Sequence, residues 1–268
     1  MLSTVQGQIR LILMADDMGA AHGINTGTIE AFKNGLVRTT NVIVPGPWFP
    51  EAARMLRENP GLDVGVHLAI TSEWDNVKWR PLTQAPSIVD PDGYFFPAVG
   101  PRPGFRPKMS IKEAAWKLSE IERELRAQLD AAKKHLPQAT YTSAHMGFTS
   151  LAPEVRDLVG KLTKEYGLAQ MTDFGIKMFL GGYAGTDSGA VKAEKLAAKL
   201  ETLEQGVWLL IDHGSTNDSE MQAIGHPGYE YVAADRSANV EMWKSPKVRE
   251  VIERRGIQLT SYRELMKK

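Results

Sequence analysis

The feature that most constrains this chain is an alternation. Short apolar, β-branched runs take turns with longer segments of helical periodicity along nearly the whole sequence. Parallel strands joined by helical crossovers produce that pattern, so it specifies an α/β fold. Strands read at 9–15 (IRLILMA), 39–44 (TTNVIV), 62–68 (LDVGVHL), 140–144 (TYTSA), 168–171 (LAQM), 207–211 (VWLLI) and 257–261 (IQLTS). Helices read at 25–35, 49–61, 110–135, 152–167, 191–206, 245–256 and from Tyr262 onward. The longest, 110–135, carries Ser110 and Glu113 at capping-box spacing and an apolar stripe of Leu118, Ile121, Leu125 and Leu129. About seven strands, with no internal repeat and no linker, fit an irregular, seven-stranded (β/α) barrel over 1–268 as a single domain. A doubly wound open sheet is the alternative that periodicity leaves open. A loop insert at about 70–109, rich in Pro, Gly and Trp, and a polar loop at 212–235 are longer than connection alone requires.

Charge and composition remove several functions. The 32 basic and 32 acidic residues balance, and no block of like charge occurs, so nucleic acid or a membrane surface has no electrostatic footing. No apolar run reaches the roughly 18 residues of a transmembrane helix. The absence of cysteine removes disulfides, thiolate metal sites and thiol nucleophiles. MLSTVQGQIR lacks the apolar core of a signal peptide. The cytoplasm is the default expectation, or the periplasm or medium if a leader has been removed. No glycine-rich phosphate-binding motif occurs.

Barrel enzymes carry their chemistry at the C-terminal ends of strands. Here the first strand ends in Asp16-Asp17, the third in His67, the TYTSA strand in His145, and VWLLI in Asp212-His213. Read singly, the aspartate pair suits a helix cap and each histidine a hydrogen-bonded core residue. Read together, they converge on one rim. An aspartate and two histidines suit a catalytic divalent ion with open positions. Neighbouring strand residues point different ways, so Asp17 is free to ligate while Asp16 serves as general base for an attacking water. His135, near the end of the long helix, reads as surface. Trp74 and Trp79 read as core or as a wall on which sugar rings stack.

The same residues carry a resemblance. ADDMG with Asn25, GLVRTTNVIV, DVGVHL followed by Thr71, Asp92-Gly93 before an aromatic pair, SAHM, and a late Arg and Glu before SPKVREVIERRGIQLTSYREL resemble the YdjC-like carbohydrate deacetylases. The resemblance runs from about residue 9 to the end. It implies a (β/α) barrel of the glycoside hydrolase/deacetylase type and removal of an N-acetyl group from an amino sugar. It implies one divalent ion, and the imidazole and carboxylate donors put magnesium or zinc first, with manganese, cobalt or nickel as alternatives. Carried over, Asp17, His67 and His145 are the metal ligands and Asp16 the general base. The family's Asp-x-His-x-His motif here reads SAHMG, without the flanking Asp and the second His. The family's late His-Pro-Gly occurs as His226-Pro227-Gly228, yet His213 stands directly after a strand. His213 is therefore taken as general acid, with His226 as its challenger or a substrate-contacting rim residue. Asn25, Trp74 and Arg236 complete the substrate-binding set, with Arg236 supporting the site.

The implied partner is an acetylated sugar, and a homodimer is allowed. Three other readings stand beside N-deacetylation: an O-acetyl sugar esterase using the same water attack, a glycosidase using paired carboxylates, and a non-catalytic sugar-binding descendant.

Overall fold

A computed structural model describes residues 7–267. Its strands are β1 (Ile9–Met18), β2 (Thr39–Val42), β3 (Asp63–Leu68), β4 (Tyr141–Ala144), β5 (Ala169–Gln170), β6 (Lys177–Met178), β7 (Gly206–His213) and β8 (Gln258–Leu259). Its helices are α1 (His22–Lys33), α2 (Phe49–Glu58), α3 (Leu118–His135), α4 (Pro153–Glu165), α5 (Gly189–Glu201), α6 (Ser219–Gln222), α7 (Val232–Lys244), α8 (Pro246–Arg254) and α9 (Tyr262–Met266). Every strand pair is parallel, in the order β5-β4-β3-β2-β1-β7-β6. The short β8 pairs with β1 at Arg10 and Leu11.

The sheet curls into an open barrel. Ile12 and Met14 of β1, Tyr141 of β4 and Leu209 of β7 share one small buried cluster, although β2 and β3 separate β1 from β4 in the sheet. The alternate β1 residues Leu11, Leu13 and Ala15 belong to the larger cluster beneath the helices, the period-two sorting of a strand buried on both faces. No strand pairing joins β5 to β6 among the described residues. Tyr262 of α9 serves this inner space: its ring stacks on Tyr141 at 3.9 Å and its hydroxyl donates to the Met171 carbonyl at 3.0 Å. Gly65 makes room, since a Cβ there would lie 2.4 Å from the Tyr141 ring and 2.6 Å from Asn41 Oδ1.

Three sequence expectations are corrected. The long helix begins at Leu118, not at 110. Before it, the backbone of Ile111 and Lys112 bonds to the carbonyls of Ala98 and Val99, so this stretch is spent on the loop. Ser110 and Glu113 bond each other side chain to side chain at 2.6 Å and form no capping box. The third correction is α7, whose first turn falls inside the expected 212–235 loop. It is buried on most sides, by Val232, Ala233, Arg236, Ala238, Asn239, Val240, Met242 and Trp243, so it shows no clean apolar stripe. The apolar stripe of α3 is as expected, with Ile121, Leu125 and Leu129 buried. No described helix is long and apolar enough to cross a membrane.

The segment between β3 and α3 is tied down by polar residues on α3 itself. Glu124 accepts from the backbone of Leu82 and Thr83 at 3.0 and 2.9 Å, and Glu120 from Ser87 N at 2.8 Å. Gln128 brackets Ala69, accepting from its N–H and donating to its carbonyl. One residue every four places these three on one helix face. Buried carboxylates are tolerated there because loop amides satisfy them.

Candidate active site

Adjacent carboxylates in a regular strand point to opposite faces. Here both reach one pocket because β1 is bulged. Between Ala15 and Met18, β1 advances three residues while β2 advances two, from Thr40 to Val42. The extra residue re-aims the strand end. Asp17 takes φ +67°, a left-handed conformation that aspartate tolerates better than most residues. Asp16 keeps the inward parity of Ile12 and Met14, and Asp17 is turned in beside it.

His67 ends β3 and His145 follows β4. The register pairs His67 with Ser143, and Nδ1 of His67 lies 2.6 Å from Ser143 Oγ. Its Nε2 lies 3.5 Å from both Asp16 Oδ2 and Asp17 Oδ1. His145 places Nδ1 3.3 Å from Asp17 Oδ1 and Nε2 2.8 Å from Glu73 Oε2. The two rings meet edge to face at 5.1 Å. Asp17 Oδ1 is buried and has no hydrogen-bond partner, although two imidazole nitrogens lie close to it. Asp17, His67 and His145 thus converge as a group able to hold a metal ion. One carboxylate and two imidazoles fit a divalent ion of borderline character.

The other Asp17 oxygen is held by cations. Arg236 NH2 donates to Oδ2 at 3.2 Å, and His213 Nε2 lies 3.3 Å from it. Burial alone would push this carboxyl up, yet His213, His145 and Arg236 hold it well below the usual range. Burial lowers His67. Burial would also lower His145, but Glu73 and Asp17 raise it to about 10. His145 must therefore release a proton to ligate a cation.

His213 ends β7. Burial and Arg236 oppose its charge, but Asp17, Asp212 and Asp16 outweigh them and its pKa is raised. Asn239 fixes this strand end, donating to Asp212 Oδ1 at 2.8 Å and to the His213 carbonyl at 2.9 Å. Tyr183 donates to Asp212 Oδ2 at 2.7 Å. Buried Lys192 bonds Asn239 Oδ1 at 2.7 Å and also Asp235, which accepts from the Tyr229 hydroxyl.

These groups open on a pocket of about 380 Å³ lined by Asp16, Asp17, His67, Glu73, His145 and His213, with Trp74, Arg102, His226, Tyr229 and Arg236. Two expected substrate contacts are buried. Asn25 is fully buried and does not line the pocket. It accepts from Gly19 N at 2.7 Å and donates to Trp48 O and Glu51, so it locks the turn after β1. Trp74 lines the pocket but is only 2% exposed. The His226 ring stacks on it at 5.5 Å and the Arg236 guanidinium lies over it at 4.9 Å. Trp79 is core, packed near His145. His135 is exposed, as read.

Glu73, Ser143 and Tyr229 also line the pocket, and Asn41 touches Asp16, although no sequence pattern marks them. Asn41 of β2 donates to Asp16 Oδ1 at 2.7 Å. Asn41 and Ser143 lie inside the short strands TTNV and YTSA, where neighbouring threonines leave nothing to set them apart. Glu73 lies in a loop without periodicity, and its only signal is its place six residues after His67.

A protein from Thermus thermophilus named carbohydrate deacetylase is 36% identical over 168 residues, covering 62% of this chain and 54% of that protein. The shared stretch is thus about half the length of that relative. A protein of the same name from Listeria monocytogenes serotype 4a is 27% identical over 91% of this chain and 90% of its own. The crystal structure of a candidate cellobiose-phosphate cleavage protein from Enterococcus faecalis V583 superposes with a TM-score of 0.77 at 25% identity, covering 96% of this chain and 99% of that one. The sequence model of the YdjC-like proteins matches residues 10–254. The chain belongs to the YdjC-like family.

Proposed function

We propose that this chain is a metal-dependent carbohydrate deacetylase, an amide hydrolase that removes the N-acetyl group of an acetylated amino sugar and releases acetate. The observation that carries the reading is the convergence of Asp16, Asp17, His67, His145 and His213 at strand ends around one pocket, with Asp17 Oδ1 buried and unpartnered between two imidazoles. The names of the relatives support the same substrate class. The reading takes the chain as one barrel domain whose segment 70–109 walls the pocket.

Asp17, His67 and His145 hold one divalent cation. The two nitrogen donors favour zinc over magnesium. Such an ion, when bound, supplies Lewis acidity to the acyl oxygen and lowers the pKa of water. Asp16 takes a proton from the attacking water. Asn41 occupies Oδ1 of Asp16 and leaves Oδ2 for that task. Water oxygen bonds the acyl carbon, and the C–N bond breaks as His213 gives its proton to the departing nitrogen. Arg236 holds Asp17 in place. His226 and Tyr229 present the polar and aromatic surface that meets the sugar.

The test is acetate release from a panel of N-acetyl and O-acetyl mono- and oligosaccharides, with and without chelator. Chelator-sensitive acetate from an N-acetyl sugar supports the reading. Acetate from O-acetyl sugars alone moves it to an esterase. Saturable binding with no product from metal-loaded protein moves it to a sugar-binding descendant.

A further inference from the structure

We propose that Glu73 is a positioning residue of the metal site, fixing the ring of His145 so that Nδ1, and not Nε2, faces the cation. The proposal rests on the metal reading above. Its ground is the geometry of the two imidazoles. An imidazole that ligates through one nitrogen needs its other N–H placed, and the partner of that N–H decides the tautomer. His67 and His145 solve this from opposite ends. His67 meets Ser143 at Nδ1 and turns Nε2 toward Asp17. His145 meets Glu73 at Nε2 and turns Nδ1 toward Asp17. With each outer nitrogen donating, the two inner nitrogens gather within 3.5 Å of Asp17 Oδ1, and His67 Nε2 lies 3.5 Å from Asp16 Oδ2 as well.

The two supports differ in kind. Ser143 offers a neutral hydroxyl from within the sheet. Glu73 offers a carboxylate from the long segment after β3, and it is 5% exposed beside a His145 that is 3% exposed. An ionised acceptor makes the stronger hydrogen bond and raises the basicity of the ligating nitrogen. Glu73 is not itself a ligand in this arrangement, because the His145 ring stands between its carboxylate and Asp17. Its own position is set by the segment. Ser72 N donates to the Phe96 carbonyl at 2.9 Å, and Ser72 Oγ accepts from Trp79 N at 3.1 Å. The wall of the pocket therefore supplies part of the metal site, and the order of the wall bears on metal affinity.

The test uses the full chain and zinc as the probe. Zinc affinity of the metal-stripped protein is measured by chelator competition for wild type, Glu73→Gln and Glu73→Ala, with Tm recorded without metal. We expect affinity to fall by about 10–100-fold in Glu73→Ala and by less in Glu73→Gln, which keeps an acceptor oxygen. Cobalt-loaded variants should show an altered visible spectrum. Should Glu73→Ala fail to fold, Glu73→Gln carries the comparison. Zinc affinity equal to wild type in the folded variants, with a lowered metal-free Tm, would overturn the assignment and leave Glu73 a structural residue. Wild-type protein that takes neither zinc nor cobalt would overturn the metal reading, and the proposal with it.

Discussion

Asn41 Nδ2 donates to Asp16 Oδ1 at 2.7 Å, so one oxygen of the proposed base is committed to the sheet, while the other lies 3.5 Å from His67 Nε2. Replacing Asp16 by Asn keeps the size and removes the basic oxygen. We expect Asp16→Asn to lose about 10²–10⁴-fold in kcat while zinc content stays at the wild-type level. Activity that survives the change would place the base elsewhere.

His213 must be protonated to act as an acid. Its pKa is raised by the carboxylates around it, so the imidazolium persists above the ordinary histidine value of about 6.5. Activity should therefore hold through neutral pH and fall as pH rises through the raised pKa. A kcat–pH profile of wild type should show this alkaline limb and His213→Ala should lose it. An unchanged limb in that variant would favour His226 as the acid.

A cation held only by the folded site stabilises the fold by mass action. Zinc should raise Tm progressively with concentration in wild type. His67→Ala and His145→Ala should abolish most of that rise. A Tm that ignores zinc in wild type would count against the ligand set.

Arg236 is 2% exposed and donates to Asp17. Removing one partner of such a buried pair costs about 3–5 kcal/mol. We expect Arg236→Met to be less stable than wild type without zinc and to recover partly when zinc is added, because the ion supplies the missing positive charge. Denaturant titrations with and without zinc measure both effects. Equal loss in both conditions would show that Arg236 serves packing alone.

Glu124 satisfies two backbone amides and a hydroxyl of the pocket-wall segment. Glu124→Ala leaves them without an acceptor, at about 1–3 kcal/mol. It should raise KM more than it lowers kcat, since the change loosens the wall and touches no reacting group. Hydrogen exchange over residues 72–90 would show whether the wall has loosened.

Much of the fold was legible because buried parallel strands write their own boundaries. IRLILMA, DVGVHL and VWLLI are continuous apolar runs, and the first polar residues after them mark the rim. That logic found Asp16, Asp17, His67, His145 and His213, all of which line the pocket. What was illegible depends on geometry that no periodicity encodes. The bulge that turns Asp17 inward is a register shift against β2. Asn25 is a polar residue near the motif, but its amide is spent on Gly19 and Glu51. Ser110 and Glu113 have the spacing of a helix start, yet the backbone there pairs with Ala98 and Val99. Helix α7 is buried on too many sides to show a stripe.

Glu120, Glu124 and Gln128 line one side of α3 and grip the wall without lining the pocket themselves. The wall is thus ordered during folding, and a ligand need not supply that ordering on arrival. Those contacts go mainly to backbone amides and carbonyls, so they are indifferent to which side chains the wall displays. A different wall sequence of the same path, grafted between β3 and α3, would find its anchors already in place. Recognition can be rewritten on this scaffold while the helix that holds it stays as it is.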